Sequence, residues 1–165
     1  MKKLTLIRHA KSSWSDPSLP DHERPLNERG RRDAPFMAQL MASRGWRPDR
    51  LISSTAVRAY LTAQEFARAL GLPETDIQRE ARIYEASVLQ LQYLIQELDQ
   101  ELDHVALFGH NPAFGMLAAS TQQDTYLGNF STCGIAEIDT QVTRWADFQA
   151  AQARLVAYHY PKQYQ

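Results

Sequence analysis

The sequence predicts an α/β domain in which helices cover both faces of a mostly parallel sheet. Short apolar runs that are typical of buried strands alternate along the chain with longer segments of helical periodicity. The clearest strands are residues 4–7 and residues 104–108. Because strands that alternate with helices are joined by crossover connections, this pattern favours a three-layer α/β/α sandwich.

The length and composition fit one globular domain that spans residues 1–165. We expect neither a signal peptide nor a transmembrane segment, because no apolar run is long enough for either. The net charge is −1, so binding to nucleic acid or to a membrane surface, which needs an excess of basic residues, is not expected. The single cysteine, Cys133, cannot form an internal disulfide and is typical of a small buried residue. We therefore expect a cytoplasmic protein, and a monomer.

The first part of the chain contains a long polar loop, a helix and a strand. The loop over residues 12–21 is rich in turn-forming residues. Asn27 is a suitable N-cap for a helix over residues 28–43, and Pro35 is expected to bend this helix or to delay its start. Residues 50–53 then form the second predicted strand.

Two helices follow before the second clear strand. A hydroxyl-rich turn, Ser54-Thr55, is expected to cap a helix over residues 56–70. Ile77 lies in a short strand or extended link. Ser87 is a suitable cap for a helix over residues 88–98.

The last part of the chain completes the sheet. Pro112 is expected at the first position of a helix that ends near residue 120. Two further strands are predicted over residues 134–139 and 154–160, joined through Trp145 and Phe148.

Side chains suited to phosphate binding follow the predicted strands. Arg8 and His9 follow the first strand, Arg58 opens the helix after the second, Glu85 precedes the next helix, and His110 follows the strand at 104–108. Such junctions gather at one edge of a parallel sheet. Two arginines and two histidines near helix N-termini predict a phosphate pocket, in which a neutral histidine could act as a nucleophile.

Other phosphate chemistry is poorly supported by the sequence. There is no glycine-rich phosphate loop of the Walker or dinucleotide type. No pair of histidines has helical metal-ligand spacing, and Cys133 has no second cysteine near it. We therefore expect neither a metal ion nor another cofactor.

Five segments in order resemble one family. Leu-Ile-Arg-His-Ala at residues 6–10 resembles the signature of the histidine phosphatase superfamily, also called phosphoglycerate-mutase-like, with Ala10 where glycine is usual. The other blocks are similar to those of its compact SixA-like phosphohistidine phosphatase branch. They are residues 24–30 ("RPL…G"), residues 53–59 ("SPA.RA", with Thr55 where proline is common), residues 84–87 and residues 109–112.

The resemblance implies a phosphoglycerate-mutase-like fold and a role for each matching residue. His9 would be the nucleophile that becomes phosphorylated. Arg8, Arg58 and His110 would bind the phosphoryl group and stabilise its developing charge. One helix with its connections fills the interval from Arg58 to Glu85, and another fills the interval from Glu85 to His110, so no lid domain is expected.

Two assignments stay open at the level of sequence. Glu85 falls near the family's proton donor, and Asp16 and Asp21 in the long loop are rivals for that role. Arg24 would either contact substrate or hold the loop in place. His22, in the same loop, is expected to be solvated.

The resulting function is a phosphatase that works through a phosphohistidine intermediate, with a phosphohistidine-bearing protein as its expected substrate. A small phosphate ester is the alternative substrate. A catalytically silent phosphoprotein-binding module is the alternative from another class, but every expected site residue is present. A mutase is disfavoured because the chain lacks the inserted segments that hold and re-present a sugar phosphate.

Overall fold

A six-stranded sheet forms the centre of the computed structural model, which describes residues 1–121 and 129–165. The strands are β1 (Lys3–Arg8), β2 (Arg50–Ser53), β3 (Ile77–Arg79), β4 (His104–Gly109), β5 (Ile135–Asp139) and β6 (Arg154–His159). Their order is β3-β2-β4-β1-β5-β6. The pairs β2–β3, β2–β4 and β1–β4 are parallel, whereas β5 is antiparallel to both β1 and β6. The sheet is therefore mostly parallel, as predicted.

Within the described residues, four α-helices cover the two faces of this sheet. They are α1 (Glu28–Ser43), α2 (Val57–Ala69), α3 (Val88–Gln96) and α4 (Ala113–Ala119). One buried core joins α1 and α2 to one face of the sheet, and a second core joins α3 and α4 to the other face. Within the described residues, no helix is long and apolar enough to cross a bilayer.

The alternation of side chains along the strands explains the two cores. In β4, Leu107 packs with α3 and α4, and its neighbour Phe108 packs with α1 and α2. In β1, Leu6 likewise packs with α3 and α4, and its neighbour Ile7 packs with α1 and α2. Successive side chains of a strand point to opposite faces, so continuous apolar runs are needed where both faces are covered. The three-layer prediction is thereby confirmed.

Helix α1 matches its predicted bounds, and its cap is the expected one. The side chain of Asn27 accepts a hydrogen bond from the Gly30 backbone N–H at 2.9 Å. Pro35 lies inside α1 and does not delay its start. Gly30 has a specific steric role, because a Cβ at this position would clash with the Lys11 carbonyl oxygen. The start of α1 therefore packs directly on the loop that follows β1.

Two predicted helix starts are wrong in detail. The N-cap of α2 is Ala56, and neither Ser54 nor Thr55 caps that helix. The hydroxyl of Ser54 accepts from the Ala56 N–H at 3.1 Å and also contacts His110, and that of Thr55 contacts His22. Pro112 is the N-cap of α4 and not its first residue. The hydroxyl groups of Ser54 and Thr55 therefore both lie at the candidate active site.

Candidate active site

The central strand pair β1–β4 brings two histidines together. Arg8 lies opposite Gly109 in this parallel pair, so the next residues, His9 and His110, leave neighbouring strands at the same edge. The His9 N–H donates to the Gly109 carbonyl at 3.0 Å, and the two imidazole ring centres are 5.3 Å apart. A Cβ at Gly109 would lie 2.5 Å from the Phe114 ring, so only glycine fits where this strand end packs under α4.

The contacts of His9 fix its tautomer. Its Nδ1 lies 2.7 Å from the carbonyl oxygen of Ala10, which can only accept, so Nδ1 carries a proton. Burial, with smaller effects from His110, Arg58 and Arg8, lowers the pKa of this imidazole to about 3 against the opposing effect of the Ala10 hydrogen bond. His9 is therefore neutral at pH 7. Its Nε2 holds a lone pair, towards which Arg58 Nε donates at 3.4 Å.

The second histidine is held by the turn after β2. The Nε2 of His110 lies 2.8 Å from the hydroxyl of Ser54, while its Nδ1 is buried and has no hydrogen-bond partner in the described parts of the chain. Burial, with a smaller effect from Arg58, lowers the pKa of His110 to about 4. In the tautomer with the proton on Nδ1, this neutral imidazole can donate to a bound anion while its Nε2 accepts from Ser54.

Arg8 supplies the cation on the β1 side of the site. One terminal nitrogen donates to the Phe130 carbonyl at 3.1 Å. Its Nε is buried and also lacks a partner among residues 1–121 and 129–165. Burial lowers the pKa of this guanidinium. A buried polar group is normally hydrogen-bonded, so Arg8 and His110 both present groups that suit the oxygens of a phosphate.

Arg58 is oriented by the long loop after β1. Its two terminal nitrogens donate to the backbone carbonyl of Asp21 at 2.7 Å and to Asp21 Oδ2 at 2.9 Å. The Tyr84 hydroxyl donates to the same carboxylate oxygen at 2.7 Å, and Arg24 donates to Oδ1 at 2.8 Å. The Tyr84 hydrogen bond, with help from Arg58 and Arg24, lowers the pKa of Asp21 to about 2. Asp21 is therefore ionised and is an acceptor, not a proton donor, near neutral pH.

Arg24 holds the loop in place. It donates to the Ser13 carbonyl at 3.0 Å, to the Ser12 hydroxyl and to Asp21, and its guanidinium lies 3.3 Å from the ring centre of Trp14. The side chain is buried by these contacts. All of them are with residues of its own loop, which agrees with the loop-holding alternative. A direct role in substrate binding stays a prediction.

The three acidic candidates for proton donor occupy different places. A cleft of about 410 Å³ is lined by Glu85 and Asp21 together with Arg58, Tyr84 and His110. Glu85 is exposed there, on a backbone with a φ of 60°. Asp16 is exposed within the loop and bonds to Ser18, which lowers its pKa. Asp16 is not part of this cleft lining.

Sequence reasoning missed the polar rim of this cleft. His22 is half-buried, with its Nε2 2.8 Å from the Thr55 hydroxyl and its ring edge-on to Tyr84 at 4.8 Å. The Tyr84 ring in turn lies 5.5 Å from that of His110. His22 is thus only partly solvated, with 35% of its side chain exposed, because the loop held by Arg24 brings it against Thr55 and Tyr84. In the sequence, the one sign that His22 lies near the site is its position two residues before the "RPL" block.

Two further features concern chemistry beside the site. Cys133 is buried next to His9, its backbone N–H donates to the His9 carbonyl at 3.0 Å, and burial raises the pKa of its thiol. No group of three or more His, Cys, Asp or Glu side chains suited to a metal ion occurs in the described segments.

Comparisons with known proteins relate this arrangement to one family. Residues 4–123 match a family model described as histidine phosphatase superfamily, branch 1. A candidate phosphohistidine phosphatase SixA from Agrobacterium tumefaciens has a TM-score of 0.81 at 33% identity, with 97% of this chain and 98% of that chain covered. The protein histidine phosphatase SixA in complex with tungstate has the same TM-score at 20% identity, with 99% of each chain covered, and shows the shared fold. Phosphoserine phosphatase 1 from Hydrogenobacter thermophilus is 38% identical over 89 residues, which are 52% of this chain and 39% of that protein.

Proposed function

The chain belongs to the histidine phosphatase superfamily, and we propose that it is a metal-independent phosphatase that hydrolyses phosphohistidine on proteins. The observation that carries this proposal is the unprotonated Nε2 of His9, which lies beside Arg58 and next to the ring of His110. A neutral imidazole with a fixed tautomer is a competent nucleophile towards phosphorus. The surrounding donors suit the three oxygens of the phosphoryl group.

In the first proposed step, the lone pair of His9 Nε2 forms a bond to phosphorus and the P–N bond to the substrate histidine breaks. Arg8, Arg58 and the free ring nitrogen of His110 bind the phosphoryl oxygens as charge shifts onto them. The other ring nitrogen of the substrate imidazole carries one proton as the P–N bond breaks, so the group that leaves is neutral imidazole; Glu85 and water at the cleft are the available sources of that proton. The product is a phosphorylated His9.

In the second step, water attacks the phosphorus of phosphorylated His9. The P–Nε2 bond breaks, its electron pair returns to the imidazole, and inorganic phosphate leaves. One proton of the attacking water passes to the Glu85 carboxylate or to solvent. The Ala10 carbonyl keeps Nδ1 protonated in both steps, so the same ring nitrogen acts as nucleophile and as leaving group.

Two features support a P–N bond as the substrate. The proton donor candidate, Glu85, is exposed, and an imidazole leaving group needs proton donation far less than an alkoxide does. Glu85 and Asp21 in the lining of the cleft are both exposed, so a histidine carried on a protein surface can reach it. The relative from Agrobacterium tumefaciens, a candidate phosphohistidine phosphatase, agrees with this substrate class. We expect a cytoplasmic monomer.

A small phosphate ester is the second candidate substrate. It is favoured by the sequence similarity to a phosphoserine phosphatase, which is 38% identical over a segment that covers 52% of this chain. The deciding experiment compares kcat/KM for a phosphohistidine peptide, phosphoserine and simple alkyl phosphates, with His9→Ala as the blank. We expect the phosphohistidine peptide to be preferred. Faster hydrolysis of the phosphate esters would instead identify a small-molecule phosphatase.

A further inference from the structure

A second cleft adjoins the site on the side of Arg8. This basic cleft has a volume of about 250 Å³. Its charged lining consists of Arg8, Lys11, Arg29 and Lys162, and hydroxyl groups come from Ser131 and Thr132. Arg8 is therefore shared between the basic cleft and the phosphate pocket. None of the described lining residues is an aspartate or a glutamate.

The charges of the basic cleft are largely uncompensated. Lys11 and Lys162 are exposed, and neither has an ion-pair partner within residues 1–121 and 129–165. Arg29 contacts Asp33 at 3.4 Å, yet 41% of its side chain remains exposed. Since the whole chain carries a net charge of −1, this excess of positive charge is local. Four cations around a small cleft create a positive potential that attracts anions.

The backbone holds these cations in a fixed relation to His9. The Asn27 N–H donates to the Lys11 carbonyl at 3.0 Å, and Gly30 lets the start of α1 pack against the same carbonyl. Lys11, two residues after His9, and Arg29, in the first turn of α1, therefore belong to two segments that pack directly against each other. On the other side, the Ser131 N–H donates to the Tyr158 hydroxyl at 2.8 Å.

We propose that the basic cleft binds acidic side chains that flank the phosphohistidine of a protein substrate. This inference rests on the proposed function and adds the class of substrate that the site selects. The lysine ammonium groups are exposed on flexible stems, and the cleft is open and shallow. This arrangement suits carboxylates presented on a protein surface better than it suits an enclosed small molecule. Charge of this kind chiefly raises the rate of productive encounter.

The kinetic test uses two synthetic phosphohistidine peptides that differ only in three flanking aspartates or three flanking asparagines. Free phosphoramidate serves as a small P–N substrate without flanks. The variant Lys11→Gln/Lys162→Gln removes the two unpaired charges. The control Lys3→Gln/Arg47→Gln removes two exposed charges at the opposite end of the sheet, so it matches the change in net charge.

We expect the wild type to prefer the acidic peptide by about tenfold in kcat/KM at low ionic strength, and added salt to reduce this preference. The cleft variant should lose the preference while it retains the wild-type rate on phosphoramidate. The control variant should behave as the wild type does. Equal rates on both peptides, or an equal loss on the acidic peptide in both variants, would overturn the inference and leave the proposed phosphatase intact.

A binding measurement separates the inference from the chemistry. The unphosphorylated acidic and neutral peptides are titrated into ¹⁵N-labelled protein at low ionic strength. We expect the acidic peptide alone to shift the amide signals of Lys11, Ser131 and Thr132, and the cleft variant to abolish these shifts. If no peptide is dephosphorylated faster than by His9→Ala, the proposed function fails, and these shifts still decide the inference. Shifts of equal size with the neutral peptide, or none at these amides, would refute it.

Discussion

The Nε atom of Arg58 lies 3.4 Å from Nε2 of His9, on the side of the imidazole opposite its hydrogen bond to Ala10. A guanidinium N–H can approach this nitrogen only while the nitrogen is unprotonated. The pair therefore favours the neutral, nucleophilic form of His9. It also places a fixed positive charge beside the position where a phosphoryl group would be transferred.

The low pKa values of the two histidines predict the pH dependence of stability. The pKa is lowered from 6.5 to about 3 for His9 and to about 4 for His110, so the unfolded chain binds protons before the folded protein does. The free energy of unfolding should therefore fall as the pH drops from about 6.5 towards 4. Urea unfolding at pH 7 and pH 5 measures this change. His110→Gln should show a smaller drop than the wild type, and an identical drop would contradict the assignment.

Replacement of the nucleophile predicts a near-complete loss of turnover. His9→Ala should lower kcat by at least ~10³-fold, as for other covalent nucleophiles. Wild-type enzyme mixed with ³²P-labelled substrate and quenched in base, where phosphohistidine survives, should carry its label on His9. Label on another residue, or near-normal turnover of the variant, would rule out this role.

The ion pair between Asp21 and Arg58 predicts that Asp21 contributes to activity by positioning the Arg58 guanidinium. Asp21→Asn removes the charge that fixes the guanidinium, so we expect kcat/KM to fall by roughly tenfold, because misplaced binding groups slow transfer. Asp16→Asn is the matched control, since within the described residues the Asp16 side chain bonds only to Ser18 in its loop. It should be unaffected. Unchanged activity of Asp21→Asn, with activity lost in Asp16→Asn, would reverse this assignment.

The exposed position of Glu85 predicts a dependence on the leaving group. Glu85→Gln should slow hydrolysis of an alkyl phosphate by the ~10²–10⁴-fold that proton donation contributes to such reactions. Hydrolysis of a phosphohistidine peptide should slow much less, because imidazole is a weaker base than an alkoxide. Equal damage to both reactions would show that Glu85 acts in some other way.

The cations of the pocket predict activity without a metal ion. In the proposed mechanism, Arg8 and Arg58 supply the positive charge that two divalent ions supply in metal-dependent phosphatases. Treatment with EDTA should leave kcat/KM on a phosphohistidine peptide unchanged. A loss that magnesium or zinc restores would disprove this mechanism.

The sequence predicted the residues that strand geometry places, and it missed those that loop packing places. His9 and His110 follow neighbouring parallel strands, so their meeting needs only strand order and register. The contact of Asp21 with Arg58 depends on the path of a loop held by Arg24. Such a loop has no periodic pattern from which its path could be derived. The fold class was therefore predictable, but the orientation of Arg58 was not.

The roles of Ser54 and Thr55 in the turn after β2 were also not fully predictable from the sequence, because they depend on contacts with distant residues. Ser54 and Thr55 have the composition of a helix cap, and local propensity favours that role. In the folded chain their hydroxyls meet His110 and His22, which lie far away in the sequence. The Ser54 hydroxyl also accepts from the nearby Ala56 N–H, so its tertiary contact is added to a local one, whereas the Thr55 hydroxyl meets His22.

The environment of Cys133 has a consequence for how this protein withstands oxidation. The thiolate is the form of cysteine that reacts with peroxides, and burial raises the pKa of this thiol above its ordinary value. The proposed nucleophile beside it, His9, is an imidazole, which does not form a sulfenic acid. Peroxide that silences cysteine-dependent phosphatases would therefore leave this one working, and dephosphorylation by this protein would continue through an oxidative burst.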